Sequence, residues 1–332
     1  MTSTVDQLRH PAVPAGSPAH VPLVELRRDG MVEGVHHGSA VVLSPTGDVV
    51  FAAGDVEAPF YPRSAAKPLQ AATLVRLGAD LAADQLALAG ASHSGEQVHL
   101  DTARAVLASV GLAEDDLGNP ADLPYDAAER TAWIASGRGP RKLAHNCSGK
   151  HAAMLRTCVL NGWAREEYLS PQHPLQLAVA ETVTALTGQP PAHVAVDGCG
   201  APLFAVSLRG LARAVGHIAS APPGTPEQAV AAAYRSHPEL VAGSRRDTTA
   251  LMRAVPGLVA KDGFEAVQVA ALPDGTAVAV KIADGGDRAR LPATLAVLRR
   301  AGVDVDALRP HLPTAAWPTN GRDGLALAAS LA

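Results

Sequence analysis

Four short polar segments interrupt an otherwise apolar chain, and each carries groups that can do chemistry. RSAAKPLQ sets Ser64 and Lys67 three residues apart, on one face if the segment is helical. A serine hydroxyl is a poor nucleophile until a base takes its proton, and a lysine can be that base if burial lowers its pKa. By itself the spacing also fits a capping serine beside a solvated lysine. SHSGE, with Ser92, His93, Ser94 and Glu96, reads either as a polar turn that caps a helix or as a proton relay to Ser64.

HNCSGKH holds Cys147, Lys150 and His151, which face one way if a helix begins at Cys147 or Ser148. A helix N-terminus there would lower the thiol pKa from its free value of about 8.5. Cys158 lies about 16 Å farther along the same helix at about 1.5 Å per residue, so its expected role is core packing. DGCG flanks Cys199 with glycines two residues after Asp197, which permits a sharp turn and close approach by another group. Each cysteine alone also fits an inert buried thiol. Together, two thiolates from distant segments suit a soft tetrahedral ion such as zinc, although no C-x-x-C spacing is present. A smaller signal is Lys261, in AKDG at the end of an apolar strand, which alone reads as an exposed hairpin lysine.

The elements that must position these groups follow from periodicity. VPLVELRRDG, GSAVVLSPTG and DVVFAAGD alternate as successive strands with glycine turns. SAAKPLQAATLVRLGA is helical, with Pro68 in its first turn or bending it. DQLALAGASHSGE runs from an apolar segment into a polar turn, and HLDTARAVLASVGLA is a helix ending at glycine. Residues 115–143 read as an irregular loop carrying a short helix. Helices follow in HAAMLRTCVLNGW and HPLQLAVAETVTALTG. PAHVAVDGCGAPLFAVSLRGLARAV is a strand, a glycine turn and more apolar chain, and PEQAVAAAYRSHPELVAG is helical. AVPGLVAKDG, FEAVQVAALPDG and TAVAVKIADGG are three neighbouring strands, and RARLPATLAVLRRAGV is a core helix. Strands, a helical middle, strands and a helix predict an α/β or α+β unit with a mixed sheet that gathers both ends of the chain.

The 332 residues suffice for a large core, and 47% are hydrophobic but only 3% aromatic, so Ala, Val and Leu must fill it. A net charge of −4 and the scarcity of base-stacking side chains argue against a nucleic-acid partner. No apolar run reaches the roughly 20 residues of a membrane span. Residues 1–21 read as a disordered leader without the apolar stretch of a signal peptide, and residues 22–332 as one unit. Three cysteines make no disulfide framework, so a cytoplasmic protein with reduced thiols is expected.

Taken together and in order, RSAAKPLQ, ASHSGE, HNCSGKHAAML, DGCGAPLFAVSL, LVAKDG and AVKIADG resemble the Rhizobium-type (class 3) L-asparaginases, the asparaginase II family. The likeness runs from about Val21 to near the C-terminus. It implies a fold like that of the serine β-lactamases and penicillin-binding proteins, which pair S-x-x-K with a later K-T-G strand. It also implies an amidohydrolase that converts L-asparagine to L-aspartate and ammonia. The matching positions imply catalytic pairs Ser64 with Lys67 and Ser92 with Lys261, with Ser94 a weaker candidate for the second serine. They further imply zinc on Cys147, Lys150 and Cys199, Arg63, His151 and Asp197 beside the substrate, and a homodimer. Which serine attacks is left open.

Two stretches depart from the family pattern. GSRRDTTALM stands where an acidic-aromatic pair is expected before DTALM, and DGFEAV stands where the family reads close to GAEGV. Asp262 is expected to raise the Lys261 pKa and weaken it as a base. The competing readings are a related serine amidase or β-lactamase-like acylase with another substrate, and a non-catalytic zinc-stabilised binding protein that would need none of Ser64, Lys67 and Lys261.

Overall fold

In the computed structural model, which describes residues 18–313 and 323–332, the alternating residues after Ala19 form β1 (Val21–Arg28), β2 (Met31–Leu43) and β3 (Val49–Ala53). Asp29 and Gly30, both at positive φ, make the tight reversal between the first two. A two-residue β4 (Pro59–Phe60) leads into a 3-10 turn at Arg63–Ala66 and then α1 (Lys67–Arg76). Pro68 sits in the first turn of α1, where a missing N–H leaves no bond unmade. The helical middle comprises α2 (Ala83–Ala89), α3 (Gln97–Ala108), α4 (Ala127–Ala135), α5 (Ser148–Leu160) and α6 (Pro174–Thr187). β5 (His193–Val196), β6 (Pro202–Ser207) and α7 (Leu208–Ala219) follow. PEQAVAAAYRSHPELVAG does not stay one helix. Pro238 divides it into α8 (Pro226–Ser236) and α9 (Pro238–Val241), because a proline disfavours helical backbone at the residue before it, here His237. The chain closes with α10 (Asp247–Ala254), β7 (Val259–Gly263), β8 (Val267–Ala271), β9 (Ala277–Ile282), α11 (Asp287–Arg300) and β10 (Gly324–Leu327).

The large sheet runs β10-β1-β2-β9-β8-β7, with β3 also on β2. The expected gathering of both chain ends is met, since Val24 pairs with Leu327. The expected mixed sheet is corrected: every pairing among the described residues is antiparallel. Short reversals join β1 to β2 and β7 to β8 to β9, and strands joined by so short a turn must pair antiparallel, since a parallel pair needs a crossover of a dozen or more residues. The α2, α10, β4 and β10 elements were not legible as such from periodicity.

Every residue of β7 and β8 is buried, so both faces of this part of the sheet are covered. α7 and α11 pack against β8 and β9, and the 3-10 turn at Arg63–Ala66 packs against β7. A second apolar cluster joins Leu88, Leu100, Leu107, Met154 and Leu175 among the helices, and Cys158 packs within it as expected. β4, β6 and β5 form a small separate sheet. Of the expected leader, residues 1–17 lie outside the described residues. The Ala19 carbonyl accepts from the Asp55 N–H at 3.0 Å, and β1 begins at Val21. No helix among the described residues is long and apolar enough to cross a membrane.

One close approach ties the sheet to the serine-bearing turn. A Cβ on Gly263 would lie 2.6 Å from the Pro62 carbonyl oxygen and 3.0 Å from the Ala65 nitrogen. Both are backbone atoms and cannot swing aside. Gly263→Ala is therefore expected to push β7 off the turn that carries Ser64, costing about 1–3 kcal/mol of overpacking. Urea unfolding would show that loss, and an unchanged midpoint would contradict the contact.

Candidate active site

Lys67, at the start of α1, is 1% exposed, and its Nζ hydrogens all find acceptors. It donates to the Ala91 carbonyl, to Ser92 Oγ at 3.0 Å and to Cys147 Sγ at 3.0 Å. The lysine of S-x-x-K thus holds the second serine. Ser64, half-buried on the preceding turn, makes no side-chain hydrogen bond among the described residues. The expected Ser64–Lys67 bond is absent for that reason, while Ser64 keeps the hydroxyl that is open to a ligand. Ser94 is fully buried against Gly243 with its hydroxyl unpartnered, so Ser92 is the serine that meets Lys67.

Lys261 projects from β7 with 0% exposure and donates to the Asp262 carbonyl at 2.7 Å and to Asp262 Oδ1 at 2.9 Å. Asp262 captures the ammonium that Ser92 was expected to receive. Burial pushes the Lys261 pKa down, Asp262 pulls it back, and Lys67 pushes it down again, leaving it at about 8. Asp262 does act to raise the Lys261 pKa, as expected, but desolvation of a fully buried ammonium is the larger effect and the net shift is downward. Burial would raise the Asp262 carboxyl, but Lys261, Arg246 and Arg290 outweigh it and hold the group well below the usual carboxylate range. Arg246 Nη2 meets Asp262 Oδ2 at 2.5 Å, and its guanidinium lies 4.7 Å above the Tyr125 ring. Sequence reasoning noted the unusual GSRRD but missed that Arg246 is the second counter-charge of the β7 carboxylate, Asp262.

Cys147 caps α5, which carries Lys150 and His151 in its first turn, while the turn between β5 and β6 brings in Asp197 and Cys199. Lys150 Nζ donates to Cys199 Sγ at 3.1 Å. The two thiols also interact. The hydrogen bond to Cys199 and then burial push the Cys147 thiol up, whereas the same bond, against burial and with help from Lys150, pulls Cys199 down. The lowering expected at Cys147 from the helix N-terminus is overridden by its neighbour and by desolvation. Burial would lower the Lys150 pKa, but Cys199 and Cys147 reverse that and raise it.

His151 is fully buried, and its pKa is lowered to about 4 by burial, partly opposed by Cys199. Its Nδ1 meets Tyr168 Oη at 2.6 Å, and its buried Nε2 lies near Cys199 without a hydrogen-bond partner. Tyr168 gave no sequence signal, since it belongs to no motif.

Among the described residues no three His, Cys, Asp or Glu side chains form a metal-holding group. The donors gathered here are instead two sulfurs and one amine, with the orphaned His151 nitrogen beside them. That set fits a soft tetrahedral ion, provided Lys150 is neutral, because an ammonium has no lone pair.

Arg63 completes the site. It sits at φ 51°, a left-handed conformation costly for a side-chain-bearing residue, immediately before Ser64. Its Nε donates to Asp197 Oδ1 at 2.9 Å, and its guanidinium lies 5.3 Å from the centre of the Phe264 ring. The structure therefore brings Arg63 to Asp197, Lys67 to Ser92 and Cys147, and Lys150 to Cys199. Lys261 joins through its electrostatic coupling to Lys67.

Among solved structures the chain is similar to Mglu in its native form, at 16% identity over 81% of this chain with a TM-score of 0.43. It is also similar to Mglu in its tris and glutamate form, at 17% identity over 83% of this chain with a TM-score of 0.42. The chain spans 64% and 60% of those two chains. No curated protein matches it. The family model for L-asparaginase II matches residues 24–324. That span contains every residue gathered above, and the chain belongs to the L-asparaginase II family.

Proposed function

We propose that this chain hydrolyses the side-chain amide of L-asparagine to L-aspartate and ammonia, with Ser64 as nucleophile. The observation that supports it most is that, within an asparaginase-type amidohydrolase family, the turn that carries Ser64 leads into Lys67 and packs against β7, the strand of Lys261, with both lysines buried and Arg63 paired to Asp197 beside the serine. Ser92 is 5% exposed and already held by Lys67, so it serves better as a relay than as the attacking group. The S-x-x-K turn packed against a K-D-G strand also supports a likeness to the serine β-lactamases, with residues 22–332 as one catalytic unit.

The chemistry runs in two halves. The Ser64 hydroxyl loses its proton to the lysine pair as Oγ bonds to the amide carbon. Lys261 is the better acceptor, since a pKa of about 8 leaves about one molecule in ten neutral at pH 7. The tetrahedral intermediate breaks its C–N bond as the leaving nitrogen takes a proton from Ser92 Oγ, which draws one from Lys67, and departs as ammonia; the proton that Lys261 took from Ser64 is lost to solvent, which returns one to Lys67. Water then attacks the Ser64 ester, releasing aspartate and restoring the hydroxyl. Arg63 and Asp197 carry complementary charges for the carboxylate and ammonium of the amino acid. Cys147, Lys150 and Cys199 would hold zinc, whose positive charge, when bound, would favour the neutral Lys150 and help orient the substrate.

Ammonia release from L-asparagine, with L-glutamine and a β-lactam reporter in parallel, tests the substrate assignment. Release from neither amino acid, with zinc present, would overturn it. Ser64→Ala should lose at least about a hundredfold in kcat, in keeping with nucleophile removal, while metal analysis shows unchanged zinc. Near-normal turnover in that variant would remove Ser64 from the mechanism.

The pH dependence has a fixed sign. Lys261 must shed its proton to act as base, so kcat/KM should rise with pH through about 8 and then level off. Asp262→Asn removes the charge that raises the Lys261 pKa, so the rising limb should move to lower pH. The same change leaves Arg246 and Lys261 without their carboxylate, at a cost of about 3–5 kcal/mol in urea unfolding. A limb that stays at the same pH in folded Asp262→Asn protein would exclude Lys261 as the titrating base.

A further inference from the structure

We propose that Phe264 is a positioning residue for substrate: its ring braces the Arg63 guanidinium so that the remaining Nη groups can receive the amino-acid carboxylate. The inference rests on the reading of Arg63 as a substrate contact. Phe264 is 58% exposed, unusual for a phenylalanine in a chain with four of them, and it stands at the tip of the β7–β8 hairpin beside the site. Its ring contact among the described residues is Arg63, at 5.3 Å, within the range where a guanidinium is held by an aromatic face. Asp197 takes Nε on the edge of the same guanidinium, and neither Nη group donates to another described residue. A side chain fixed by a ring on its face and a carboxylate on one edge presents its other edge as a preformed fork. Such a fork suits a carboxylate, which accepts two parallel N–H bonds.

The hairpin is built to hold the ring in place. Gly263 pairs with Val267, leaving Phe264, Glu265 and Ala266 as the reversal. Glu265 and Ala266 are both left-handed, at φ 64° and 52°, conformations that non-glycine residues adopt only when neighbours enforce them. The neighbours are present. The Ile282 N–H donates to the Ala266 carbonyl at 3.1 Å, and Lys281 Nζ donates to the Glu265 carbonyl at 2.6 Å. Gly285 lies against Glu265 where any Cβ would collide with its carboxylate. The strained reversal and the strained Arg63 backbone thus meet at the ring.

The test compares wild type with Phe264→Ala, Phe264→Tyr and Phe264→Leu. Two quantities are read: KM and kcat for ammonia release from L-asparagine, and the Kd for L-aspartate by calorimetry. Phe264→Ala should raise KM and Kd about three- to tenfold with kcat within about twofold, the scale of one cation–π contact. Phe264→Tyr should restore both, and Phe264→Leu, which fills space without a π face, should not. Unchanged Kd in Phe264→Ala, full restoration by leucine, or a fall confined to kcat would each overturn the proposal. If wild type binds L-aspartate but releases no ammonia, the asparaginase reading falls while the Kd series still decides the role of Phe264. If wild type releases ammonia but does not bind L-aspartate measurably, the asparaginase reading stands and the KM series decides the role of Phe264.

Discussion

Three lysines without solvent, Lys67, Lys150 and Lys261, are the constraint around which this molecule is organised; each is at most 2% exposed. An ammonium taken out of water is costly unless it is paired, so every element near the site supplies an acceptor. The connection before α3 offers the Ala91 carbonyl and Ser92, the cap of α5 offers Cys147, the turn after β5 offers Cys199, and β7 offers Asp262. The pairs are not isolated. Lys67 and Lys150 both act on the Cys147–Cys199 couple, and Lys67 acts on Lys261, so the charge on each depends on the others.

The rigid frame behind this charge cluster is apolar and nearly devoid of aromatic bulk. Small side chains let elements approach closely, which is how two connections, a strand and two helix starts can share one buried volume. The Arg246–Asp262 contact extends the cluster outward, and Arg290 links it onward through Asp247 and Asp287. Compensation therefore reaches from β7 to α10 and α11.

Much of the frame was legible because its signals are local. Period-two alternation identified β1 to β3, short runs between glycine turns identified β7 to β9, and DGCG marked a turn because glycine tolerates what other residues do not. The short β10 and α2 were missed, since four or seven residues carry too little period to read, and β10 exists only through its pairing with β1. The site was legible as a set of residues and less so as a set of contacts. Motifs name Ser64, Lys67, Ser92 and Lys261, but they cannot say that Lys67 reaches Ser92 or that Asp262 intercepts Lys261, because those choices are made by burial and by the nearest available acceptor. Tyr168 behind His151 and Phe264 over Arg63 had no motif to mark them.

The pairing of β1 with β10 has a consequence for how the chain acquires its shape. Val24 emerges early in synthesis, and its partner Leu327 emerges only after all the intervening elements. Until then one edge of β1 presents unpaired amides and carbonyls to the surroundings, the kind of edge that invites another chain. A contact of such long sequence separation is also slow to form. The late strand thus acts as a seal on a sheet whose other edge, at β7, carries Lys261 and Asp262.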